Sequence, residues 1–216
     1  DQGLWQTGGD FAIPHEVIPM EDGNLQVVMP KEVAEAFRKK KIPYQFESKM
    51  GDIKAYGERA LAVNSIGTLS YGFFDIKEPE FMLECNIKAT DCGDYFGISL
   101  KTDEDLDNGF LLAFNIANQQ VSLNKLPAPL DPFWATLSGK SIIPPEVDGP
   151  RVCEKPFPFQ NGDYINVKTI LSNDLIEIYI GDLVAFSYRS YTEMPYKIGL
   201  FAQDCIVEYH NINFSK

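Results

Sequence analysis

The strongest constraint on the fold is an alternation of apolar and polar residues with a period of two. Over residues 81–89 the apolar side chains occupy the odd positions, and mostly polar side chains occupy the even ones. Successive side chains of a strand point to opposite faces, so this pattern is typical of half-buried strands. It recurs at 96–100, 110–116, 119–125, 164–171, 176–180 and 198–202. About ten short strands at hairpin spacing predict an all-β fold, an antiparallel β-sandwich with one short helix.

Turn signals separate several of these strands. The dipeptides Ala-Asn at 117–118 and Gly-Asp at 181–182 each fall between two strand-like runs, so each predicts a hairpin. In the last strand the apolar phase switches between Tyr209 and Ile212. An extra residue in one strand has this effect, so we expect a β-bulge there.

One segment has a helical period. After Pro30, the sequence KEVAEAF places Val33, Ala34 and Phe37 on one face, and Pro43 follows the segment as a helix-breaking residue. We therefore expect residues 1–43 to form a connector segment with a short helix. The remaining residues, 44–216, are expected to form the sandwich domain.

Charge limits the classes of partner. The chain has 216 residues and a formal net charge of -12, which argues against binding a phosphate backbone or an anionic membrane. No apolar run is long enough to span a bilayer. We predict a soluble acidic domain that binds neither nucleic acid nor membrane and that tolerates neutral ligands.

The four cysteines do not form a metal or redox motif. Cys85, Cys92, Cys153 and Cys205 contain no C-x-x-C pair, and Cys85 falls on the apolar face of its strand. Four cysteines allow three pairings, and all of them stay open at this point. Cysteine usage therefore does not define the cellular compartment.

An acidic turn is the candidate metal site. Asp103, Asp105 and Asp107 alternate just before Gly109, and carboxylates on a turn can converge on Ca²⁺. The spacing differs from that of an EF-hand, because the glycine is one place late and Phe114 stands where a bidentate Glu is required. The alternative is an acidic hairpin turn without a metal. Apart from this calcium we predict no cofactor.

A proline-rich segment interrupts the strand rhythm at residues 127–161. It contains Phe133, Trp134 and Arg151, which are residue types that bind carbohydrate. Aromatic rings pack on the apolar face of a sugar, and arginine donates hydrogen bonds to hydroxyl groups. We predict a carbohydrate-binding site at these three residues. The alternative is that the two aromatic side chains pack the segment onto the sandwich or onto a neighbouring domain.

Several passages resemble one family. WQTGGDFAIPHE (5–16), EDGNLQVVMPKEVAEAF (21–37) and the strands of 95–127 and 163–214 are similar to the C-terminal β-sandwich of family-32 glycoside hydrolases (invertases, levanases, inulinases). That family's D-x-S-x-x-E-x-F pattern, followed by R-x-Y, corresponds here to Asn173, Asp174, Glu177, Tyr179, Arg189 and Tyr191. We interpret Glu177 and Arg189 as a cross-strand surface pair.

The catalytic motifs of the same family (W-M-N-D-P-N-G, R-D-P and E-C) do not occur in context. Glu84-Cys85 spells E-C, but it lies in an alternating strand without the other motifs, so chance explains it. The resemblance therefore implies a lectin-like (concanavalin-like) antiparallel β-sandwich module, a divergent one without the catalytic propeller. Its expected role is a non-catalytic accessory one in a glycoside hydrolase that acts on fructan or a related carbohydrate. The module would stabilise the catalytic domain and contact sugar.

The resemblance also implies partners and a location. The partners would be carbohydrate and an upstream catalytic domain in the same polypeptide, and the protein would be secreted, periplasmic or at the cell surface. Docking to such a domain predicts an exposed apolar patch at Leu4, Trp5, Phe11 and Ile13.

Two other functions stay open. The first is an independent carbohydrate-binding module. The second is a standalone lectin-fold glycosidase, which requires a pair of buried carboxylates with raised pKa values in a concave sheet.

Overall fold

The computed structural model describes residues 11–126, 151–190 and 197–216. In these ranges the chain is an antiparallel β-protein with one short helix, as the alternation predicts. Its elements are β1 (Glu16–Pro19), β2 (Leu25–Val28), α1 (Lys31–Phe37), β3 (Lys41–Ile42), β4 (Gln45–Met50), β5 (Asp52–Ala55), β6 (Leu61–Asn64), β7 (Leu69–Asp75), β8 (Phe81–Thr102), β9 (Gly109–Asn115), β10 (Gln120–Leu126), β11 (Arg151–Pro156), β12 (Tyr164–Ser172), β13 (Leu175–Ile180), β14 (Val184–Arg189) and β15 (Lys197–Ser215).

Two long strands hold the two layers of the sandwich together. Residues 95–102 of β8 pair with 197–203 of β15. In the same layer, β9 lies next to β8 and is followed by β10 and β11, while β7 lies next to β15 and is followed by β4. We call this layer sheet I. Residues 82–92 of β8 pair with 205–215 of β15. In this second layer, β12 lies next to β8 and is followed by β13 and β14, while β6 lies next to β15 and is followed by β5. This layer is sheet II.

The crossing between the layers carries a disulfide bond. Cys92 and Cys205 are directly opposite each other in the β8–β15 pair, and their sulfur atoms are bonded. Of the three pairings that the sequence allows, the structure therefore contains Cys92–Cys205, while Cys85 is free and buried and Cys153 is free and half-buried. The alternation at 81–89 and 96–100 predicts two strands, but they form the single strand β8.

The core lies between the two sheets and is built from the inward positions of the alternation. Burying this apolar surface is the main driving force for folding. Sheet I contributes Phe96, Ile98, Leu100, Leu112, Phe114, Val121 and Leu123 to the core. Sheet II contributes Leu83, Cys85, Ile87, Val167, Ile176, Ile178 and Tyr209.

The predicted turns and the bulge are confirmed. Gly181 and Asp182 both have positive φ (59° and 49°), and the Leu183 amide donates to the Ile180 carbonyl at 3.0 Å. Those are the features of a type I′ turn, which matches the twist of a hairpin. β9 and β10 form the other predicted hairpin. The register of β15 shifts between residues 210 and 213, where the sequence predicts a bulge.

The predicted short helix is also confirmed, and it belongs to a connector that packs on the outer face of sheet II. Ala34 is buried, and Val33 and Phe37 pack beside it against a cluster that includes Met82 and Tyr179. The connector also contains the β1–β2 hairpin. The boundary at residue 43 between connector and sandwich stays a prediction.

A buried carboxylate attaches the connector to sheet II. The Glu177 side chain has no solvent exposure. Its Oε1 accepts a hydrogen bond from the Ile13 backbone amide at 3.0 Å, and its Oε2 accepts one from Ser187 Oγ at 2.6 Å and lies 3.1 Å from His15 Nε2. Burying a carboxylate is costly unless it is hydrogen-bonded, and here the connector supplies two of the partners. We call this arrangement the Glu177 clamp.

The interpretation of Glu177 and Arg189 as a surface pair is therefore wrong. In the β13–β14 register, Glu177 is opposite Ser187, and Arg189 is opposite Leu175. Arg189 pairs instead with Asp174, with 3.3 Å between Nε and Oδ2. The connector covers the face that the alternation of β13 assigns to solvent, so Glu177 lies in the protein interior.

Candidate functional site

A groove on the outer face of sheet I is the candidate binding site. It has a volume of about 270 Å³ and lies across four neighbouring strands, β8 to β11. Its lining consists of Tyr95, Leu111, Ala113, Asn115, Asn118, Gln120, Ser122, Asn124, Lys125, Leu126 and Glu154. We call this the sheet I groove.

Strand alternation places polar groups in the groove. In β10, Val121 and Leu123 point into the core, so Gln120, Ser122 and Asn124 point to the outer face. Register then aligns neighbours from other strands with these residues. Tyr95, Asn115 and Gln120 form one row across β8, β9 and β10, and Ala113, Ser122 and Glu154 form the next row. Such cross-strand neighbours lie close enough to contact one ligand together.

Hydrogen bonds orient several of these side chains. Gln120 Nε2 donates to Glu154 Oε1 at 3.2 Å, and Asn124 Nδ2 donates to Ser122 Oγ at 2.9 Å. The Asn118 backbone amide donates to Asn115 Oδ1 at 2.9 Å. Each bond uses one part of an amide group that has both a donor and an acceptor, so the other part can bind a ligand.

Among the described lining residues, Tyr95 is the aromatic one, and it is 37% exposed. Partial burial raises the pKa of its hydroxyl above the usual value, and the neighbouring Asp94 raises that pKa further. The phenol is therefore neutral at physiological pH and keeps its proton for hydrogen bonding. The ring and the hydroxyl together provide an apolar surface with a polar end.

The chemistry of the groove suits a neutral polyhydroxylated ligand. Most of the polar groups are uncharged amides and hydroxyls, and Glu154 and Lys125 contribute one charge of each sign. Glu154 is the carboxylate among the described lining residues. Glycoside hydrolysis by the usual route needs two carboxylates, so this lining supports binding and gives no argument for hydrolysis.

Three side chains at the Glu177 clamp have the residue types of a catalytic triad, namely Ser187, His15 and Glu177. Their geometry differs from that of a triad, because His15 Nε2 faces both Ser187 Oγ and Glu177 Oε2, each at 3.1 Å. In a triad the two ring nitrogens contact the nucleophile and the carboxylate separately. The serine proton is directed to the carboxylate, so the cluster acts as a structural link.

The predicted sugar-binding residues Phe133 and Trp134 lie outside the described residues. Arg151 is the first residue of β11, and its backbone pairs with that of Asn124, a lining residue of the groove. The proline-rich segment begins directly after Leu126, which also lines the groove. These three residues therefore stay a prediction for sugar binding.

The predicted calcium residues lie in the turn between β8 and β9. Asp103 Oδ1 accepts a hydrogen bond from the Asp107 backbone amide at 2.7 Å, and its Oδ2 accepts one from Asn108 Nδ2 at 2.9 Å. Partial burial raises the pKa of Asp103, but the hydrogen bonds that its carboxylate accepts together outweigh this effect, so the pKa is lowered. In the described ranges, no three His, Cys, Asp or Glu side chains are grouped to hold a metal ion. Calcium at Asp103, Asp105 and Asp107 stays an untested prediction.

Sequence reasoning did not single out the groove residues, although a signal for them exists. The alternating outward positions of β10, Gln120, Ser122 and Asn124, carry uncharged amides and a hydroxyl, whereas a solvent-facing strand usually carries charged residues. Their convergence on Tyr95 and Glu154 depends on the pairing of strands that are distant in sequence.

Comparisons with known proteins agree with this architecture. The chain has the antiparallel β-sandwich fold of the modules found in family-32-like glycoside hydrolases, which confirms the predicted resemblance at the level of fold. Its similarity to the carbohydrate binding module CBM66 from Bacillus subtilis has a TM-score of 0.61 at 16% identity and covers 79% of this chain and 95% of that one.

Two solved enzymes are also similar to the chain. The exo-inulinase from Aspergillus awamori has a TM-score of 0.57 at 13% identity, and the sucrose-6-phosphate hydrolase from Lactobacillus gasseri has 0.52 at 11%. The match to the exo-inulinase covers 95% of this chain but only 35% of the enzyme, and the match to the sucrose-6-phosphate hydrolase covers 94% of this chain but only 32% of the enzyme. Neither protein-family models nor curated protein sequences give a match. Within the described ranges, no helix is long and apolar enough to cross a bilayer.

Proposed function

We propose that this chain is a carbohydrate-binding β-sandwich module whose sheet I groove binds a neutral saccharide of the fructan class. The observation that carries the proposal is the convergence of Tyr95 with the amide and hydroxyl side chains of β9 and β10 in one groove. A sugar has an apolar ring face and many hydroxyl groups, and this lining offers a partner for each. The similarity in fold to a carbohydrate binding module supports the ligand class.

Fructan is the proposed ligand class because the fold is shared with an exo-inulinase and a β-fructofuranosidase. In this proposal, Phe133 and Trp134 provide additional stacking surfaces for sugar rings, and Arg151 donates to sugar hydroxyl groups. The chain enters their segment from Leu126, at one end of the groove, which supports this assignment.

Removing two amides from the groove should weaken sugar binding without unfolding the protein. We expect the double variant Gln120→Ala/Asn124→Ala to raise the Kd for an inulin-derived oligosaccharide by about 10- to 100-fold, because each lost hydrogen bond costs about 1 kcal/mol. Isothermal titration calorimetry measures this change. Gln45→Ala, an exposed amide on the distant strand β4, is the matched control and should leave the Kd unchanged. Equal affinity of the groove variant and the wild type, or no binding by the wild type, would contradict the proposal.

A second function, docking to an upstream catalytic domain, is favoured by the connector. The β1–β2 hairpin exposes Val17, Ile18 and Leu25, and Phe11 just before it is 96% exposed. Ile13, in contrast, packs against the outer face of sheet II, so the predicted apolar patch does not include it. Leu4 and Trp5 lie outside the described residues. Neighbouring exposed apolar side chains mark an interaction surface.

Docking predicts a native polypeptide much larger than this chain. We expect an antibody against the sandwich to detect a product of at least twice 24.3 kDa in the source cells. In that product, Val17→Ser/Leu25→Ser should lower the Tm by several degrees, while the same change in the isolated chain should have little effect. Ile66→Ser, at an exposed position outside the hairpin, is the control. A native mass near 24.3 kDa would overturn the docking role.

A further inference from the structure

The outer face of sheet II has a covered half and an open half. The connector covers the half around Met82, Ile170 and Tyr179. The open half lies at the other end of the same strands and presents the outward side chains of β8, β12 and β15, with Tyr56 at its edge. We call this open half the sheet II platform, and it consists of Tyr56, Asn86, Lys88, Tyr164, Asn166, Glu208 and His210.

Three rings form the centre of the platform. The Tyr164 and His210 rings have centroids 5.6 Å apart at an angle of 57°, and the Tyr56 ring lies edge-on to His210, also at 5.6 Å. Tyr164 is 62% exposed and Tyr56 is 44% exposed, so large parts of both rings are in contact with water. Exposing two neighbouring aromatic rings costs solvation free energy that a ligand would recover.

Polar contacts hold these rings in place. His210 Nε2 lies 3.1 Å from Glu208 Oε2, and the Tyr56 hydroxyl lies 3.0 Å from His210 Nδ1 and 3.1 Å from His210 Nε2. Lys88 Nζ lies 5.1 Å from the centroid of the Tyr164 ring, within range of a cation–π interaction. The rings are therefore preorganised, which reduces the entropy lost when a ligand binds.

The polar rim of the platform is balanced in charge. Lys88 and Glu208 are directly opposite each other in the β8–β15 register and carry one charge of each sign. Asn166 Nδ2 donates to Asn86 Oδ1 at 3.0 Å, and this amide pair lies in the next row of the sheet. A surface with balanced charge in a chain of net charge -12 favours a neutral ligand over a cationic or an anionic one.

We propose that the sheet II platform is a second carbohydrate-binding surface, which takes a neutral saccharide chain by stacking a sugar ring on Tyr164. The Asn86–Asn166 pair and Glu208 bind the sugar hydroxyl groups. The platform and the sheet I groove lie on opposite outer faces of the sandwich, so the two surfaces bind separate sugar chains or separate parts of a polymer. The inference shares its ligand class with the proposed function but rests on a different set of residues.

Nuclear magnetic resonance tests the platform and the groove in one experiment. An inulin-derived oligosaccharide is added to the wild-type chain, and the ring resonances of Tyr56, Tyr164 and His210 are followed together with the side-chain amide of Gln120. We expect saturable shifts of the platform resonances, and we expect them to persist in Gln120→Ala/Asn124→Ala. In Tyr164→Ala, the platform shifts should be lost, while the Gln120 amide should still respond.

A polymer assay provides an independent readout. Because two sites on one molecule can bind one polymer, Tyr164→Ala should lower the retention on immobilised inulin by at least 10-fold while changing the groove affinity for a short oligosaccharide by less than 2-fold. If the Gln120 amide resonance shifts and the platform resonances do not, only this inference is overturned. If the platform resonances shift and the Gln120 amide resonance does not, only the assignment of the groove is overturned. If neither set of resonances shifts, both proposals are overturned.

Discussion

Replacing Glu177 by alanine is expected to lower the free energy of unfolding by about 2–4 kcal/mol and to release the connector from sheet II. The reason is that the carboxylate is fully buried and is the acceptor for the Ile13 amide and the Ser187 hydroxyl. Without it, the half-buried Ile13 amide loses its acceptor, which costs about 1–3 kcal/mol, and the space of the buried side chain is left as a cavity, which adds to the loss. Glu177→Gln keeps an acceptor oxygen and should lose roughly half as much.

Chemical denaturation measures the free energy, and limited proteolysis measures the release of the connector. We expect cleavage before residue 31 to be faster in Glu177→Ala than in the wild type, because this part of the connector loses its attachment to sheet II. Glu47→Ala is the matched control, since the side chain of Glu47 is 58% exposed and lies on the distant strand β4. Unchanged stability together with an unchanged cleavage rate would show that the Glu177 clamp does not hold the connector.

Removing the Cys92–Cys205 disulfide should have the largest effect on stability. The bond closes a loop with a sequence separation of 113. Cross-linking a loop of this length restricts the unfolded chain, which corresponds to about 4–5 kcal/mol of stabilisation in the chain-entropy model. The bond also joins β8 and β15 where both strands pass from sheet I to sheet II, so its loss should affect both layers together.

Thermal unfolding with and without a thiol reductant checks this prediction. We expect the reductant to lower the Tm of the wild type and to leave Cys92→Ala/Cys205→Ala unaffected, with the variant near the reduced wild type. Cys153→Ala is the matched control, because Cys153 is a free cysteine and only half-buried. A variant as stable as the oxidised wild type would contradict the prediction.

The local part of the fold could be predicted from the sequence because its signals are local. Alternation identified the strands, and the dipeptide at 181–182 identified a turn with two positive φ angles. The helix was predictable from Pro30 and the apolar face of Val33, Ala34 and Phe37. Steric rules within a few residues determine each of these features, so no knowledge of distant partners is needed.

The candidate sites could be predicted only in part. The outward side chains of β10 are visible in the alternation, but the sequence does not show that Tyr95 and Glu154 lie beside them. Similarly, Tyr164, Lys88 and His210 are separated by many residues along the chain and meet only because β12, β8 and β15 are neighbours in sheet II. Strand register decides which side chains share a surface, and register is a long-range property.

The sequence by itself therefore determined the strand-rich class, the short helix, the main turns and the bulge in β15. The tertiary structure decided that β8 and β15 each belong to both sheets, that Cys92 pairs with Cys205, and that Glu177 is buried. The physical reason is that alternation specifies two faces for each strand but not what covers them. On β13 the outer face is covered by the connector, and on β10 the outer face remains open as the groove.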